Sequence, residues 1–189
     1  MPNATTERAA IFLDRDGTIL DEVGYLNHVC RYRMLPEAAA AVARLSAAGY
    51  LVFVVSNQSG VARGYFPESV VTEVNVMMTR DLEQAGAKLA AIYYCPHSSA
   101  DGCECRKPKL GMVQRAAEEF GIDPAGSFYV GDRRSDIELG QMAGGKSILV
   151  RTGYGEGELA WHVERWAKAP DFVAADLNEA VDWILSGRR

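Results

Sequence analysis

Two aspartates separated by one residue, Asp14 and Asp16, follow directly on an apolar run in the segment "IFLDRDGT". Carboxylates this close repel each other, so the pair requires a cation between them or a proton on one of them. Polar groups of complementary chemistry follow other apolar runs, Ser56 and Asn57 after "YLVFVV" and Asp132 after "SFYVG", while Lys107 stands in "CRKP". Asp14, Asp16 and Asp132 make a hard oxygen donor set, suited to Mg²⁺ with its remaining positions open to water and a phosphate oxygen. A carboxylate attacking a phosphate ester meets like charge, so phosphoryl transfer needs a cation and oriented donors around the phosphoryl oxygens. Lys107 and Ser56 are the candidate donors. In this reading Asp14 attacks phosphorus to give an aspartyl-phosphate, while Asp16 protonates the departing alkoxide and then deprotonates the water that hydrolyses the intermediate. Asp136, one helical turn past Asp132, has two readings: it orients a metal-bound water or Lys107, or it complements the positive start of a helix.

A second constellation lies in "CPHSSADGCECRKP", where Cys95, His97, Cys103 and Cys105 crowd into one short loop. Three thiolates and an imidazole complete a tetrahedral Zn²⁺ and leave no open position, so this metal would be structural. Such an ion would replace the core that the irregular stretch, about 95–107, lacks, and it would hold Arg106 and Lys107 beside the last ligand. The remaining cysteine, Cys30, stands alone. In a reducing compartment clustered cysteines point to metal before disulfides.

The residues that carry the first constellation need a scaffold that brings strand ends together. Six short β-rich runs recur: "AAIFLD", "YLVFVVSN", "AIYYC", "SFYVGD", "SILVRTG" and "DFVAA". Between and after them lie helical segments. "PEAAAAVARLSAAG" and "PESVVTEVNVMMTRDLEQAG" begin at proline and stop at glycine, and "KLGMVQRAAEEFG", "RSDIELGQMAGG", "GELAWHVERWAKA" and "LNEAVDWILSG" supply the others. Continuous apolar strands alternating with amphipathic helices indicate an α/β fold: a doubly wound, Rossmann-like parallel sheet with helices on both faces. Ligands in such sheets collect at the carboxyl ends of the strands, where Asp14, Asp16, Ser56, Asn57 and Asp132 all fall. Turn and cap preferences account for any one of these residues, but not for acidic, hydroxyl and basic groups gathered at one edge.

The 189 residues fit one domain, 1–189, and the net charge of −5 disfavours a nucleic-acid or anionic-membrane binder. No apolar stretch approaches a spanning helix, and "MPNATTERAA" lacks the regions of a secretory signal, so a cytoplasmic protein acting as a monomer on a small molecule is expected. His28 and His162 have no ligand partner in sequence, Trp161, Trp166 and Trp183 are expected to pack a core or interface, and "GYGEGE" lacks the lysine of a P-loop.

"DRDGT", "SNQSG", "RKP" and "GDRRSD", in that order, resemble the four motifs of the haloacid dehalogenase (HAD) superfamily of phosphohydrolases, over about residues 10–153. The resemblance implies Asp14 as nucleophile, Asp16 as general acid/base, Ser56 and Lys107 as phosphoryl stabilisers and Asp132 as a magnesium ligand. It also implies that Asp16 meets the metal through its backbone carbonyl, leaving its carboxylate free for proton transfer. The cysteine loop directly before "RKP", with no room for a large cap domain, is similar to the D-glycero-D-manno-heptose 1,7-bisphosphate phosphatases. The implied reaction is removal of the C7 phosphate of that sugar bisphosphate; histidinol-phosphate phosphatases share the loop and are the alternative. By the same resemblance Glu22, Val23, Gly24, Tyr25, Asn57, Gln58, Ser59, Arg106 and Arg133 border the substrate. Arg63 is either a contact for the second phosphate or a solvated arginine. One departure is the missing proline after "RKP": Lys109 and Leu110 precede Gly111, which predicts a looser turn into the next helix.

Receiver-type signalling modules share a doubly wound sheet with an acidic cluster and lysine. An acid two residues from the nucleophile favours hydrolysis over a durable phospho-signal, and it makes steady turnover of phosphate esters the discriminating observation.

Overall fold

The computed structural model describes residues 8–187. Most of the N-terminal stretch considered above as a leader, residues 1–7, lies outside the described residues. The six expected strands form one sheet: β1 (Ala10–Leu13), β2 (Leu51–Asn57), β3 (Ala91–Cys95), β4 (Phe128–Gly131), β5 (Lys146–Val150) and β6 (Phe172–Ala174). The order is β3-β2-β1-β4-β5-β6 and all pairs are parallel, with Leu13 opposite Val54 on one side and Val130 on the other. The chain winds outward one way through β2 and β3, then returns to the centre and winds the other way. Its switch point is therefore beside β1, where the two acidic residues emerge.

Central strands are covered on both sides, which is why β1 reads as an unbroken apolar run and is buried at all four positions. Ile11 and Leu13 face one core, shared with α1 (Ala38–Ala47), α2 (Glu68–Gln84) and α6 (Leu177–Leu185). Ala10 and Phe12 face the other, shared with α3 (Gly111–Phe120) and α4 (Arg134–Ala143). That second core holds an aromatic row across four strands: Phe12 stacks on Phe53 at 5.1 Å and on Tyr129 at 5.0 Å, and Phe53 on Tyr93 at 6.3 Å. Stacked rings on neighbouring strands fix register as well as burying area.

Three local expectations need correction. The segment "GELAWHVERWAKA" is not one helix: α5 runs Gly155–Trp161, His162 turns out of helical geometry at φ −130°, and a 3₁₀ turn follows at Val163–Arg165. Trp183 stacks on Phe172 as expected of a core aromatic, whereas Trp161 is 79% exposed and so is not part of the core. The turn after "RKP" is not loose. Gly111 N–H bonds to the Glu104 carbonyl, and the Lys109 ammonium holds the carbonyls of Gly102 (3.2 Å) and Cys103 (2.8 Å) and the Glu104 carboxylate (2.9 Å). A charged side chain thus does by hydrogen bonding what a proline would do by fixing φ.

Between β1 and α1 the chain makes an excursion that carries only a 3₁₀ turn at Val29–Arg31, and among the described residues no inserted element forms a large cap. Among the described residues no helix is long and apolar enough to cross a membrane.

Candidate active site

The carboxyl ends of β1, β2 and β4 open into a cavity of about 330 Å³. Its floor is acidic. Asp14 continues β1, its N–H bonded to the Val130 carbonyl at 2.9 Å, and its Oδ1 accepts from the Arg15 N–H at 2.7 Å. The Lys107 ammonium stands 2.9 Å from that same oxygen and 2.7 Å from Asp136, and it donates to the Val55 carbonyl at 2.7 Å. Lys107, Asp14 and Asp136 are all buried, so the three charges are desolvated together and removal of any one leaves another buried without its partner. Of the two readings of Asp136, the contact with Lys107 is present, and so is the helix-start role: its Oδ2 accepts from the Arg133 N–H at 3.0 Å.

Asp132 completes the acidic group from the end of β4. Its Oδ2 accepts from the Tyr154 N–H at 2.7 Å, and its Oδ1 is buried with no hydrogen-bond partner. Gly17 and Gly153 close around this carboxylate: both have positive φ, and a Cβ on either would fall 2.1 Å from Asp132 Oδ2. Oxygens of Asp14, Asp132 and Asp136 lie within 4.8 Å of one another. Burial first, then the neighbouring acids, pushes Asp132 up to about 8. Burial also pushes Asp14 up to about 7, despite the opposing pull of Lys107. Three buried carboxylates, one ammonium and an orphaned oxygen are what a divalent cation would satisfy, so the donor set fits Mg²⁺.

Asp16 is kept apart from this group by its neighbour. The side chain of Arg15, 1% exposed, bonds the Asp16 carboxylate through Nε and Nη2 (3.0 Å) and reaches Asn75 on α2 through Nη1 (3.0 Å). Gln58 Nε2 donates to Asp16 at 2.8 Å and to the Ser56 hydroxyl at 2.6 Å. The two aspartates of "DRD" are thus tied to different cations, one to Lys107 and one to Arg15. Nothing in the residue pattern alone marks Arg15 as a positioning residue except its place between two acids.

Asn57 clamps the lysine segment: its Oδ1 accepts from the Lys107 N–H at 3.0 Å and its Nδ2 donates to the Lys107 carbonyl at 3.2 Å. Glu22, Gly24, Tyr25, Ser59, Arg106 and Arg133 line the cavity, as do Ser56, Asn57 and Gln58, and Arg63 joins them at the rim. Val23 does not; its side chain packs against the core and its carbonyl accepts from Arg31 at 2.9 Å. Arg133 lies 3.6 Å above the Tyr154 ring and 3.7 Å from Glu22. Burial raises Glu22 above the ordinary carboxylate range. Tyr154 was hidden from sequence reasoning because it acts through its backbone and its ring face.

The cysteine loop gathers as expected. Cys95 Sγ is 3.2 Å from Cys105 Sγ and 3.6 Å from both Cys103 Sγ and His97 Nδ1, and His97 Nδ1 is 3.3 Å from Cys105 Sγ. Four ligands on a tetrahedral zinc with Zn–S near 2.3 Å sit roughly 3.5–3.8 Å apart; the contacts of Cys95 with Cys103 and His97 match that spacing and those of Cys105 are a few tenths of an ångström tighter, so the donor set suits that ion. Burial, then the contact with Cys105, pushes the Cys95 thiol up to about 12, so metal binding here would release protons. All four cysteines are free of disulfides.

Comparison with known proteins gives the family. A HAD-hydrolase-like family model matches residues 104–180. The chain is 42% identical over 188 residues to the D-glycero-beta-D-manno-heptose-1,7-bisphosphate 7-phosphatase of Haemophilus ducreyi, covering 94% of this chain and 98% of that one. It is 39% identical over 190 residues to the D-glycero-D-manno-heptose-1,7-bisphosphate 7-phosphatase of Thermosynechococcus vestitus, covering 95% and 96%. Among solved structures, D,D-heptose 1,7-bisphosphate phosphatase from B. bronchiseptica, complexed with magnesium and phosphate, superposes with a TM-score of 0.87 at 34% identity, covering 95% of this chain and 99% of that one.

Proposed function

Because the chain belongs to the heptose-1,7-bisphosphate 7-phosphatase family of HAD-like hydrolases, and is thereby a phosphoric monoester hydrolase, we propose that it removes the C7 phosphate of D-glycero-D-manno-heptose 1,7-bisphosphate through an aspartyl-phosphate. The observation that carries the covalent route is the state of Asp14. Its Oδ1 is occupied by the Arg15 N–H and the Lys107 ammonium. Its Oδ2 has no donor among the described residues and is the oxygen free to attack phosphorus.

In the first half-reaction an Asp14 Oδ2 lone pair forms the bond to phosphorus, the ester P–O bond breaks, and Asp16 gives its proton to the departing alkoxide. In the second, Asp16 takes a proton from water as its oxygen attacks phosphorus and the Asp14–phosphorus bond breaks, which returns Asp14 and releases orthophosphate. Arg15 and Gln58 hold the Asp16 carboxylate in one orientation for both transfers. Lys107 and the Ser56 hydroxyl meet the phosphoryl oxygens. Asp14, Asp132 and the backbone carbonyl of Asp16 would hold Mg²⁺, with Asp136 at the edge of the set; the ion supplies positive charge that offsets repulsion between Asp14 and the phosphate.

Glu22, Gly24, Tyr25 and Ser59 face the sugar, while Arg106 and Arg63 stand where a second phosphate of the substrate would be met. Cys95, His97, Cys103 and Cys105 would hold a structural Zn²⁺, which would fix the segment that carries Arg106 and Lys107 into the cavity. Action as a monomer of one domain in the cytoplasm completes this reading, since a cluster of free cysteine ligands suits a reducing compartment.

Comparison of kcat/KM for heptose bisphosphate, fructose bisphosphate and histidinol phosphate tests the substrate. The heptose ester is expected to lead, and a preference for histidinol phosphate would overturn the assignment.

A further inference from the structure

The buried residues of α2 are Val71, Val74, Asn75, Met78 and Leu82. Asn75 is the one polar member of that row and is 9% exposed. Asparagine is a weak helix former, because its amide competes with the backbone for hydrogen bonds, and burying it requires a partner for that amide. The partner is 60 residues away in the chain: Asn75 Oδ1 accepts from Arg15 Nη1 at 3.0 Å. A guanidinium only donates, so the amide meets it with its oxygen. The other edge of the same guanidinium meets Asp16. Asp16 Oδ2 receives Arg15 Nε at 3.2 Å, Arg15 Nη2 at 3.0 Å and Gln58 Nε2 at 2.8 Å, whereas Oδ1 receives only Arg15 Nε at 3.3 Å. Donors crowd Oδ2, which leaves Oδ1 as the oxygen with a lone pair for a proton.

We propose that Asn75 is a positioning residue for proton transfer: by anchoring the far end of Arg15 it keeps the donor fork on Asp16 Oδ2 in both protonation states of Asp16. This role rests on the phosphatase reading, in which Asp16 gives a proton in one half-reaction and takes one in the next. Arg15 stays charged throughout, since a guanidinium does not deprotonate. Charge holds it against the Asp16 carboxylate. Against the neutral acid that attraction is lost, and Arg15, 1% exposed, is a buried cation facing an uncharged partner. Among the described residues Asn75 is the one side-chain acceptor of the guanidinium besides Asp16, and its strength does not change as Asp16 titrates. A neutral amide suits the place. A carboxylate at 75 would offer the guanidinium a second fork and draw it off Asp16, and an aliphatic side chain would leave Nη1 buried without an acceptor.

A double-mutant cycle read by single-turnover kinetics tests this, with enzyme in excess so that the first half-reaction is followed alone. Asn75→Leu should slow release of the sugar product from the heptose bisphosphate about tenfold or more, part of the roughly 10²–10⁴-fold that a positioned acid contributes. Release of p-nitrophenolate from p-nitrophenyl phosphate, whose leaving group needs no proton, should stay within about twofold. With Arg15→Met already in place, Asn75→Leu should slow the sugar ester no further. The double variant should also melt no lower than Asn75→Leu alone, because it holds no buried guanidinium short of an acceptor. Asn75→Asp preserves size and an acceptor for Nη1, so it should keep the Tm and still lose the sugar-ester rate, and it carries the test if Asn75→Leu does not fold. Equal slowing of both esters, additive losses in the double variant, or a sugar-ester rate within twofold of wild type overturns the proposal while wild-type turnover leaves the phosphatase reading intact. A wild type that hydrolyses neither ester would overturn that reading, and the role of Asn75 with it.

Discussion

Gly131 ends β4 with the Asp136 side chain lying where a side chain of its own would go. A methyl group on its Cα would fall 2.3 Å from Cγ and Oδ2 of Asp136 and 2.4 Å from its Cβ. Carbon atoms pack at about 3.5–4.0 Å, so Gly131→Ala must drive Asp136 away by roughly 1 Å. That carboxylate is held between the Arg133 N–H at 3.0 Å and the Lys107 ammonium at 2.7 Å, and a shift of this size breaks the second contact. Lys107 would then be steered only by Asp14 and the Val55 carbonyl. A misplacement of about 1 Å in a catalytic array costs on the order of 10²-fold in rate. At about 1.36 kcal/mol per tenfold, that is about 2.7 kcal/mol of barrier. Overpacking also costs about 1–3 kcal/mol of stability. For a chain of this length about 2–4 °C of Tm is lost per kcal/mol, giving a fall of roughly 2–12 °C. Initial rates of phosphate release at saturating Mg²⁺ and substrate, with a thermal melt of the same sample, measure both effects. Gly157→Ala, on α5 with nothing within 4 Å, is the control and should leave both within experimental scatter. Asp136→Asn keeps an acceptor for Arg133 but removes the charge that holds Lys107, and it should lower kcat with little change in KM. Retention of kcat within about twofold by both Gly131→Ala and Asp136→Asn would refute the claim that Asp136 positions the lysine.

Asp14→Asn should abolish turnover while keeping the fold, since it removes the attacking oxygen's charge and relieves repulsion in the acidic group; burst-phase phosphate release or residual steady hydrolysis would contradict the covalent route. Asp14 and Asp132 are raised to about 7 and about 8, so the metal-free fold binds more protons than the unfolded chain between about pH 4 and those values. Stability of the metal-free protein should therefore fall as pH rises through that window, and the Tm gained on adding Mg²⁺ should grow from pH 6 to pH 8; a gain independent of pH would argue that the ion does not meet these carboxylates. Stripping zinc with a chelator, or Cys105→Ser, should lower the Tm and reduce kcat through Lys107 without changing the pH dependence of the Mg²⁺ effect, as measured by metal analysis alongside rates. Arg15→Met should lower kcat by impairing proton transfer from Asp16, most strongly for esters with poor leaving groups; an equal loss for p-nitrophenyl phosphate, whose leaving group needs no proton, would assign Arg15 a structural role only.

Strand positions were readable from the sequence because burial on both faces leaves a plain record: short runs of consecutive apolar residues, most of them ended by a polar one. The strand ends then placed Asp14, Ser56 and Asp132 correctly, since in a doubly wound sheet those ends share one edge. The cysteine cluster was readable for a different reason: ligand spacing is a local property. What stayed hidden depends on contacts between distant segments. Whether α5 would continue through His162 turned on packing around the C-terminal turn, where the helical pattern of "HVERW" suits either outcome. Val23 looked equivalent to its neighbours in "EVGY", yet its side chain turns to the core while Glu22 and Tyr25 line the cavity. Lys109 read as the loss of a proline, when its length lets it reach back over six residues to the Cys103 carbonyl.

Charge accounting explains why one motif can hold two acids with different tasks. Asp14, Asp132 and Asp136 bring three negative charges into a buried group that contains one buried cation, Lys107. Burial first, and then the repulsion left by this deficit of two, raises Asp14 and Asp132; a divalent ion would cancel the deficit, which makes the group unfavourable without metal and poised with it. Asp16 lies outside this account because Arg15, buried beneath it, already supplies a cation of its own, and its carboxylate faces the cavity at 20% exposure. A residue that had to share Lys107 and the metal could not exchange protons with a leaving group without disturbing both. In the proposed mechanism the arginine between the two aspartates is therefore the element that would separate nucleophile from proton carrier, each acid of "DRD" keeping a cation of its own.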